Sequence, residues 1–249
     1  VMAGMLETLL ERLESVASRL EKASVGGPVH VAATGAAPAA PALAAAKPAP
    51  VAAASGGTSS MESDFEALVN GGLKSLKDIA QKLDGDMKQV TEILAKAFEA
   101  EGAVVSCIAK CKKPGMPVLQ TKIKPVADQM MAAADFAAAR KNKQVNQSKA
   151  VAEALQGLSW VAFMPGSGMP LPATTVDEAW NSADYFANKS IMQFRGKDEN
   201  MMDWLKGLKT LFMDLKAYVK KHHATGPSWN AAGIDAKDFK ASGGSAPPP

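Results

Sequence analysis

The chain offers few side chains capable of chemistry, and their spacing decides what they can do. Histidine occurs three times, at His30, His222 and His223. Adjacent helical residues point about 100° apart, so His222 and His223 serve a shared metal ion poorly; a spacing of four would be needed. Compensation of a helix dipole, with the rings solvated, is the reading their place near a helix end favours. Cys107 and Cys111 share a helix face, but no histidine or carboxylate nearby completes a zinc set, so they read as core or half-buried thiols. Gly166-Ser167-Gly168 lacks the Gly-Lys-Ser/Thr ending of a phosphate loop and reads as a turn. The acidic residues fall on helix surfaces without a pair placed for acid–base work. The sequence therefore predicts a protein that is not an enzyme and uses no cofactor or metal.

Bulk properties narrow the classes further. The 249 residues carry a formal net charge of +3, with pI near 8.7. A nonspecific nucleic-acid binder has a larger and more clustered excess. No window reaches the apolar length of a transmembrane helix. The amphipathic start, with Glu7, Glu11 and Glu14, lacks the form of a signal peptide. Two cysteines imply no disulfide framework and fit a reducing compartment. The expectation is a cytoplasmic protein with no nucleic-acid partner and no membrane insertion.

The elements that must position any functional residue separate by composition. Residues 1–23 read as an amphipathic helix. Residues 24–60, rich in Ala, Pro and Gly, bury too little to offset their ordering entropy and read as a disordered linker. Residues 61–229 read as consecutive helices, and 230–249 as a disordered tail opening a proline-rich segment. Six helices are predicted in the bundle region. They span 63–83, with a capping box at Ser63 and Glu66; 86–112; 117–141, with Pro125 imposing a kink or a late start; 146–163; 175–196, with a second box at Thr175 and Glu178; and 199–223. In the last, Leu205, Leu208, Phe212, Leu215 and Val219 form one buried stripe. Trp160, Trp180 and Trp204 read as packing anchors, and Trp229 as a pin for the departing chain. The fold class is all-α: an antiparallel six-helix bundle preceded by a short N-terminal coiled-coil helix and a disordered linker.

The first helix holds a heptad repeat in the stretch RLESVASRLE. Leu6, Leu13 and Leu20 occupy position a, Leu9 and Val16 occupy d, and Arg12 and Arg19 flank the seam. A single helix of this length is marginal alone, so the stripe needs a partner, and self-association is expected. Leu10 and Ala17 at e widen the apolar face beyond a two-stranded seam. Packing on the protein's own bundle is the alternative. A flexible leash would then let each bundle of an oligomer reach its own target.

Three stretches in order, RLESVASRLE, LSWVAFMPG and DWLKGLKTLFMDLKAYVKKHHATGPSW, resemble the N-terminal half of the cyclase-associated proteins, which are actin regulators. The resemblance covers the chain apart from the linker's own sequence. It implies a coiled coil that oligomerises and in some fungal members binds adenylyl cyclase. It implies a six-helix domain that acts on cofilin-decorated actin and speeds loss of ADP-actin from pointed ends. It also implies a proline-rich region that recruits profilin or SH3 domains. The C-terminal β-rich half that supports nucleotide exchange in the family is absent, so exchange activity is not expected. The chain departs from the pattern at Val145, where relatives carry an aromatic residue, and in a longer loop after Trp160.

The cationic clusters suggest where a protein partner would bind. In an up-down bundle Lys110, Lys112, Lys113, Lys220 and Lys221 share one pole with the loop MPGSGMPLP, and Arg140, Lys141 and Lys143 lie at the other. Dipole compensation accounts for part of this charge, and steering onto an acidic protein such as actin for the rest. The resemblance makes Arg140, Asn146, Asn188, Lys189, Arg195, Lys206 and Lys220 the candidate contacts for actin or the cofilin–actin complex, with Pro172 shaping the adjoining loop. The rival reading is a multivalent signalling scaffold, with the coiled coil holding adenylyl cyclase or a similar partner and the bundle as a spacer.

Overall fold

A computed structural model of the protein describes residues 57–240. The coiled coil expected at 1–23, most of the linker and residues 241–249 lie outside the described residues. Six rods follow one another. α1 runs Gly57–Leu68, loosens into a π-helical turn at Val69–Leu73 and resumes as Lys74–Ala80. α2 is Gly85–Lys110, α3 Met116–Ala138, and α4 Val145–Leu155 with a 3-10 continuation at Gln156–Ala162. α5 is Pro172–Phe194 and α6 is Glu199–His222. Each rod packs against the next, and α6 closes back on α1. The fold is an all-α six-helix bundle.

The core follows from the apolar spacing. Leu205, Leu208, Phe212, Leu215 and Val219 of α6 are all buried, and Trp160, Trp204 and Phe98 are the largest side chains fully buried beside them. Sealing each such side chain from water contributes about 1.5–3 kcal/mol. Trp204 also needs a partner for its indole N–H. It donates to the Thr91 hydroxyl at 3.0 Å, which in turn donates to the Met87 carbonyl at 2.7 Å. Asp84 and Asp198 cap α2 and α6, each accepting an N–H three residues on at 3.0 Å.

Several helix boundaries differ from the sequence expectation, for local reasons. α1 begins at Gly57, before Ser63, and so places Met61 inside the helix, one turn ahead of Phe65 on the same buried face. α3 begins at Met116 and runs unbroken through Pro125, so no late start occurs; that proline is exposed, where the carbonyl it frees can meet water. α5 begins at Pro172, not after Thr174. Proline at the first position is pre-set for a helix, and the Thr175 hydroxyl donates back to the carbonyls of Pro170 and Leu171 instead of capping. α4 tightens after Leu155 where Gly157 meets α5: a Cβ there would lie 3.3 Å from the Val176 backbone.

The tail expected to be disordered from residue 230 is instead docked as far as 240. Asn230 and Ile234 bind the exposed end of α2, where four carbonyls would otherwise lack donors. The Asn230 N–H donates to the carbonyls of Ile108 and Cys111, its side-chain amide to Ala109, and the Ile234 N–H to Lys110. The Lys112 N–H donates back to Ile234 at 2.9 Å. Gly233 passes so close to the Lys110 carbonyl that no Cβ fits. Ala236 and Phe239 then bury Cys107 and Cys111, and the Lys122 ammonium donates to the Phe239 carbonyl at 2.7 Å. Trp229 packs against this cluster, as its expected pinning role requires.

Candidate functional site

The ends of the bundle are unlike each other. At the first pole α2, α4 and α6 finish together, around a cleft of about 150 Å³ between Lys113, Phe163, Pro227 and Trp229. The cationic cluster expected here exists, but the domain's own acids consume much of it. Lys110 pairs with Glu62 at 2.8 Å, and Lys221 with Asp64 at 2.6 Å. His222 also meets Asp64, at 2.7 Å, and the bonds from Lys221 and His222 hold that carboxyl below its ordinary range. Lys112, Lys113 and Lys220 stay exposed without an ion-pair partner among the described residues.

Neither histidine simply solvates, which corrects the reading from sequence. His222 is half-buried on Asp64. His223 is fully buried and stacks on Trp160 with ring centroids 4.5 Å apart. Its Nδ1 accepts from the Ser228 N–H at 3.2 Å, so Nε2 carries the proton and donates to the Tyr218 hydroxyl, also at 3.2 Å. Burial, with the nearby His222, pushes His223 down to about 3, and the ring is neutral at physiological pH. Burial likewise raises the Tyr218 phenol, with Glu101 adding to the effect.

Glu101 corrects the view that the acids lie on helix surfaces. It is fully buried in α2, and neither carboxyl oxygen has a hydrogen-bond partner. The Trp160 indole N–H lies beside it and slightly favours the ionised form, yet in a geometry that leaves both groups unpartnered. Burial dominates and holds the carboxyl well above 4.5. Cys107 and Cys111 are buried as expected, and burial together with the neighbouring Cys111 pushes the Cys107 thiol up to about 12. A thiol so protonated is a poor nucleophile.

The second pole gathers most of the candidate contacts. Here the α3–α4 turn meets the start of α2: the Lys143 N–H donates to Asp86 at 2.7 Å, and the Gln144 amide donates to Asp84. The start of α4 meets the start of α6 through Gln147 and Met201. Arg140, Asn146 and Arg195 lie at this end, with Asn188, Lys189 and Lys206 one to two turns in. All are exposed except the half-buried Asn146. Asn188 donates to Asp184 at 2.7 Å, and Lys206 pairs with Asp203 at 3.4 Å. Arg140 and Arg195 have no ion-pair partner among the described residues. Lys220 stands apart at the first pole. Pro172 is also there but is buried, so it sets the start of α5 and offers no contact surface. The oligomerisation positions Leu6, Leu9, Arg12, Leu13, Val16, Arg19 and Leu20 lie outside the described residues.

Sequence reasoning missed two exposed side chains beside these candidates, Tyr185 and Met192 on α5. The signal was present: both fall at a helical spacing with Asn188 and Lys189, on the side opposite the buried Ala183, Ala187 and Ser190. Among the described residues no group of three or more His, Cys, Asp or Glu could hold a metal ion, and no helix is long and apolar enough to cross a membrane.

Two family models match the chain in succession. The CAP N-terminal conserved motif covers residues 7–63, and CAP, N-terminal domain, covers 65–226. Cyclase-associated protein 1 of Arabidopsis thaliana is 32% identical over 233 residues, covering 92% of this chain and 47% of the relative. Adenylyl cyclase-associated protein 1 of Bos taurus is 27% identical over 235 residues, covering 94% and 45%. A crystal structure of the N-terminal domain of CAP, described with variable oligomerisation, superposes with a TM-score of 0.68 at 29% identity, covering 73% of this chain and 96% of that one. The chain spans less than half the length of the two relatives.

Proposed function

The chain belongs to the cyclase-associated protein family, whose N-terminal motif and domain it carries in order, and from that premise we propose that it is a non-enzymatic regulator of actin filament turnover. The bundle engages the terminal cofilin-bound ADP-actin subunit and weakens its contacts to the filament, so that pointed ends shorten faster. The coiled coil at 1–23 joins several copies and raises the local concentration of bundles at a filament end. The protein works in the cytoplasm on the actin cytoskeleton, and a proline-rich continuation would recruit profilin or SH3 domains. The family match across residues 7–226 carries this reading. The exposed cations Arg140, Lys189, Arg195 and Lys206 at one pole support it, since they suit an acidic protein partner. The variable oligomerisation described for the solved relative supports self-association.

Single-filament fluorescence microscopy tests the proposal. With actin filaments saturated by cofilin, adding the full chain should accelerate pointed-end shortening; an unchanged rate with a folded bundle refutes it. The name of the Bos taurus relative favours one second reading, in which the coiled coil scaffolds adenylyl cyclase. Removing residues 1–23 separates the two: a scaffold loses all function, whereas the actin factor keeps reduced activity.

A further inference from the structure

The last three turns of α5 present an outer face that the bundle does not use. Met192 is 81% exposed, the most exposed large apolar side chain among the described residues, and Tyr185 is 58% exposed. With Asn188 and Lys189 they stand at positions i, i+3, i+4 and i+7, which makes one continuous stripe, and Arg195 extends it to the helix end. Residues 185–197 contain Lys189, Arg195 and Lys197 and no carboxylate. Of the flanking acids, Asp184 is held by Lys209 at 3.7 Å and by the Asn188 amide, Asp198 accepts from the Met201 N–H as the cap of α6, and Glu199 begins that helix.

The stripe is also pre-organised. The Lys189 ammonium sits 4.3 Å from the Tyr185 ring centroid, and that ring meets Phe186 edge-on at 5.1 Å. On the α4 side, Lys149 covers the Phe186 ring at 5.5 Å and adds a further cation. A scattered exposed methionine needs no explanation. An aromatic ring held in place, a methionine and an arginine on one stripe have the composition of an interface centre, and side chains ordered beforehand lose less entropy on binding.

We infer that this face seats the bundle on actin, the acidic member of the cofilin–actin end, with Tyr185 and Met192 entering apolar recesses and Lys189 and Arg195 pairing with carboxylates around them. This assignment rests on the actin-turnover reading above. The charge favours it: Lys149, Lys189, Arg195 and Lys197 outnumber the acids that flank the face, Asp184, Asp198 and Glu199, of which Asp184 is ion-paired and Asp198 caps a helix. A net positive surface is complementary to an acidic partner and disfavours a basic one.

The test uses the full chain in the pointed-end assay, with Tyr185→Ala, Met192→Ser and, as a control on α3, the exposed Met131→Ser. Each α5 substitution should raise the concentration for half-maximal acceleration ~10-fold, and Met131→Ser should leave it unchanged. Helicity should hold in all three, since none of these side chains is buried. Acceleration by the wild type that both α5 variants retain in full would overturn the assignment and leave the actin reading standing. A wild type without effect would overturn both. Met192→Cys labelled with a benzophenone maleimide then identifies the partner directly, because Cys107 and Cys111 are buried and take no label. A covalent adduct with actin is expected; an adduct with cofilin alone, or none, overturns the assignment.

Discussion

Replacing Glu101 by glutamine removes one titrating group from the core and keeps its shape. The carboxyl is fully buried without a partner, and burial holds it well above 4.5 in the folded state. Above 4.5, therefore, the unfolded chain has released this proton while the folded chain still binds it. Stability from this group is complete below 4.5 and falls as pH rises, by about 1.4 kcal/mol per pH unit, until the folded-state value is passed. His223 has the opposite sign. Its folded value of about 3 lies below the ordinary 6.5, so its contribution is complete above 6.5 and is lost as pH falls toward 3. Above 4.5 the two slopes oppose each other until the folded-state value of Glu101 is passed or pH reaches 6.5, and over that span the two contributions nearly cancel. Urea unfolding of the full chain, followed by helix circular dichroism at half-unit steps from pH 4 to 9, resolves this. The wild type minus Glu101→Gln difference should hold constant below 4.5, decline at the stated slope and level off at the folded-state value. In the variant alone the His223 slope should emerge between 4.5 and 6.5. A difference that does not change with pH would mean Glu101 ionises in the folded bundle as it does in the unfolded chain, and the burial argument would fail.

Three other outcomes are accessible with simple variants. His223→Leu leaves the Ser228 N–H and the Tyr218 hydroxyl unpartnered and should cost about 1–3 kcal/mol at pH 7; the cost should shrink at pH 5, because the variant no longer resists protonation. Gly233→Ala forces the 229–240 segment off the end of α2, so Cys107 and Cys111, unreactive toward a thiol reagent in the native wild type, should become reactive without global unfolding, as thiol titration beside circular dichroism would show. Arg140→Glu combined with Arg195→Glu should slow pointed-end shortening by the full chain several-fold with the melting temperature unchanged, since both residues are exposed and without ion-pair partners among the described residues.

The helices were legible because their spacing is a physical necessity: a rod that buries one stripe must repeat near 3.6 residues, and α6 does so from Leu205 to Val219. The same stripe reaches His223, and that of α2 runs through Phe98, Glu101, Val105 and Ile108, so the burial of both polar residues followed from periodicity alone. What sequence lacked was the neighbour. Trp160, Tyr218 and Ser228 decide that His223 is neutral, and they meet it only once α4 and the 228–234 segment are in place. The docked tail was illegible for a related reason. It has no periodicity, and its bonds go to carbonyls at the end of another helix. The start of α5 was misplaced because a capping-box pattern at Thr175 competed with Pro172, and a proline already in helical geometry prevailed.

The exposed half of the candidate site was legible by charge and by the family resemblance. Arg140, Lys189, Arg195 and Lys206 could be assigned to the surface because a cation is rarely buried without a partner, whereas Tyr185 and Met192 carry no charge and were not singled out, although their helical spacing sets them opposite the buried face. The structure adds the contrast between the ends. At the first pole Glu62 and Asp64 absorb Lys110, Lys221 and His222, the 228–234 segment caps His223 and the end of α2, and the charge there mostly holds the bundle together. At the second pole the acids Asp84, Asp86 and Asp198 serve as helix caps or meet backbone N–H groups, which leaves Arg140 and Arg195 outward and unpaired. A domain that acts by pressing on another protein needs one firm end and one complementary end, and that division is the property a catalytic reading of the same residues would not require.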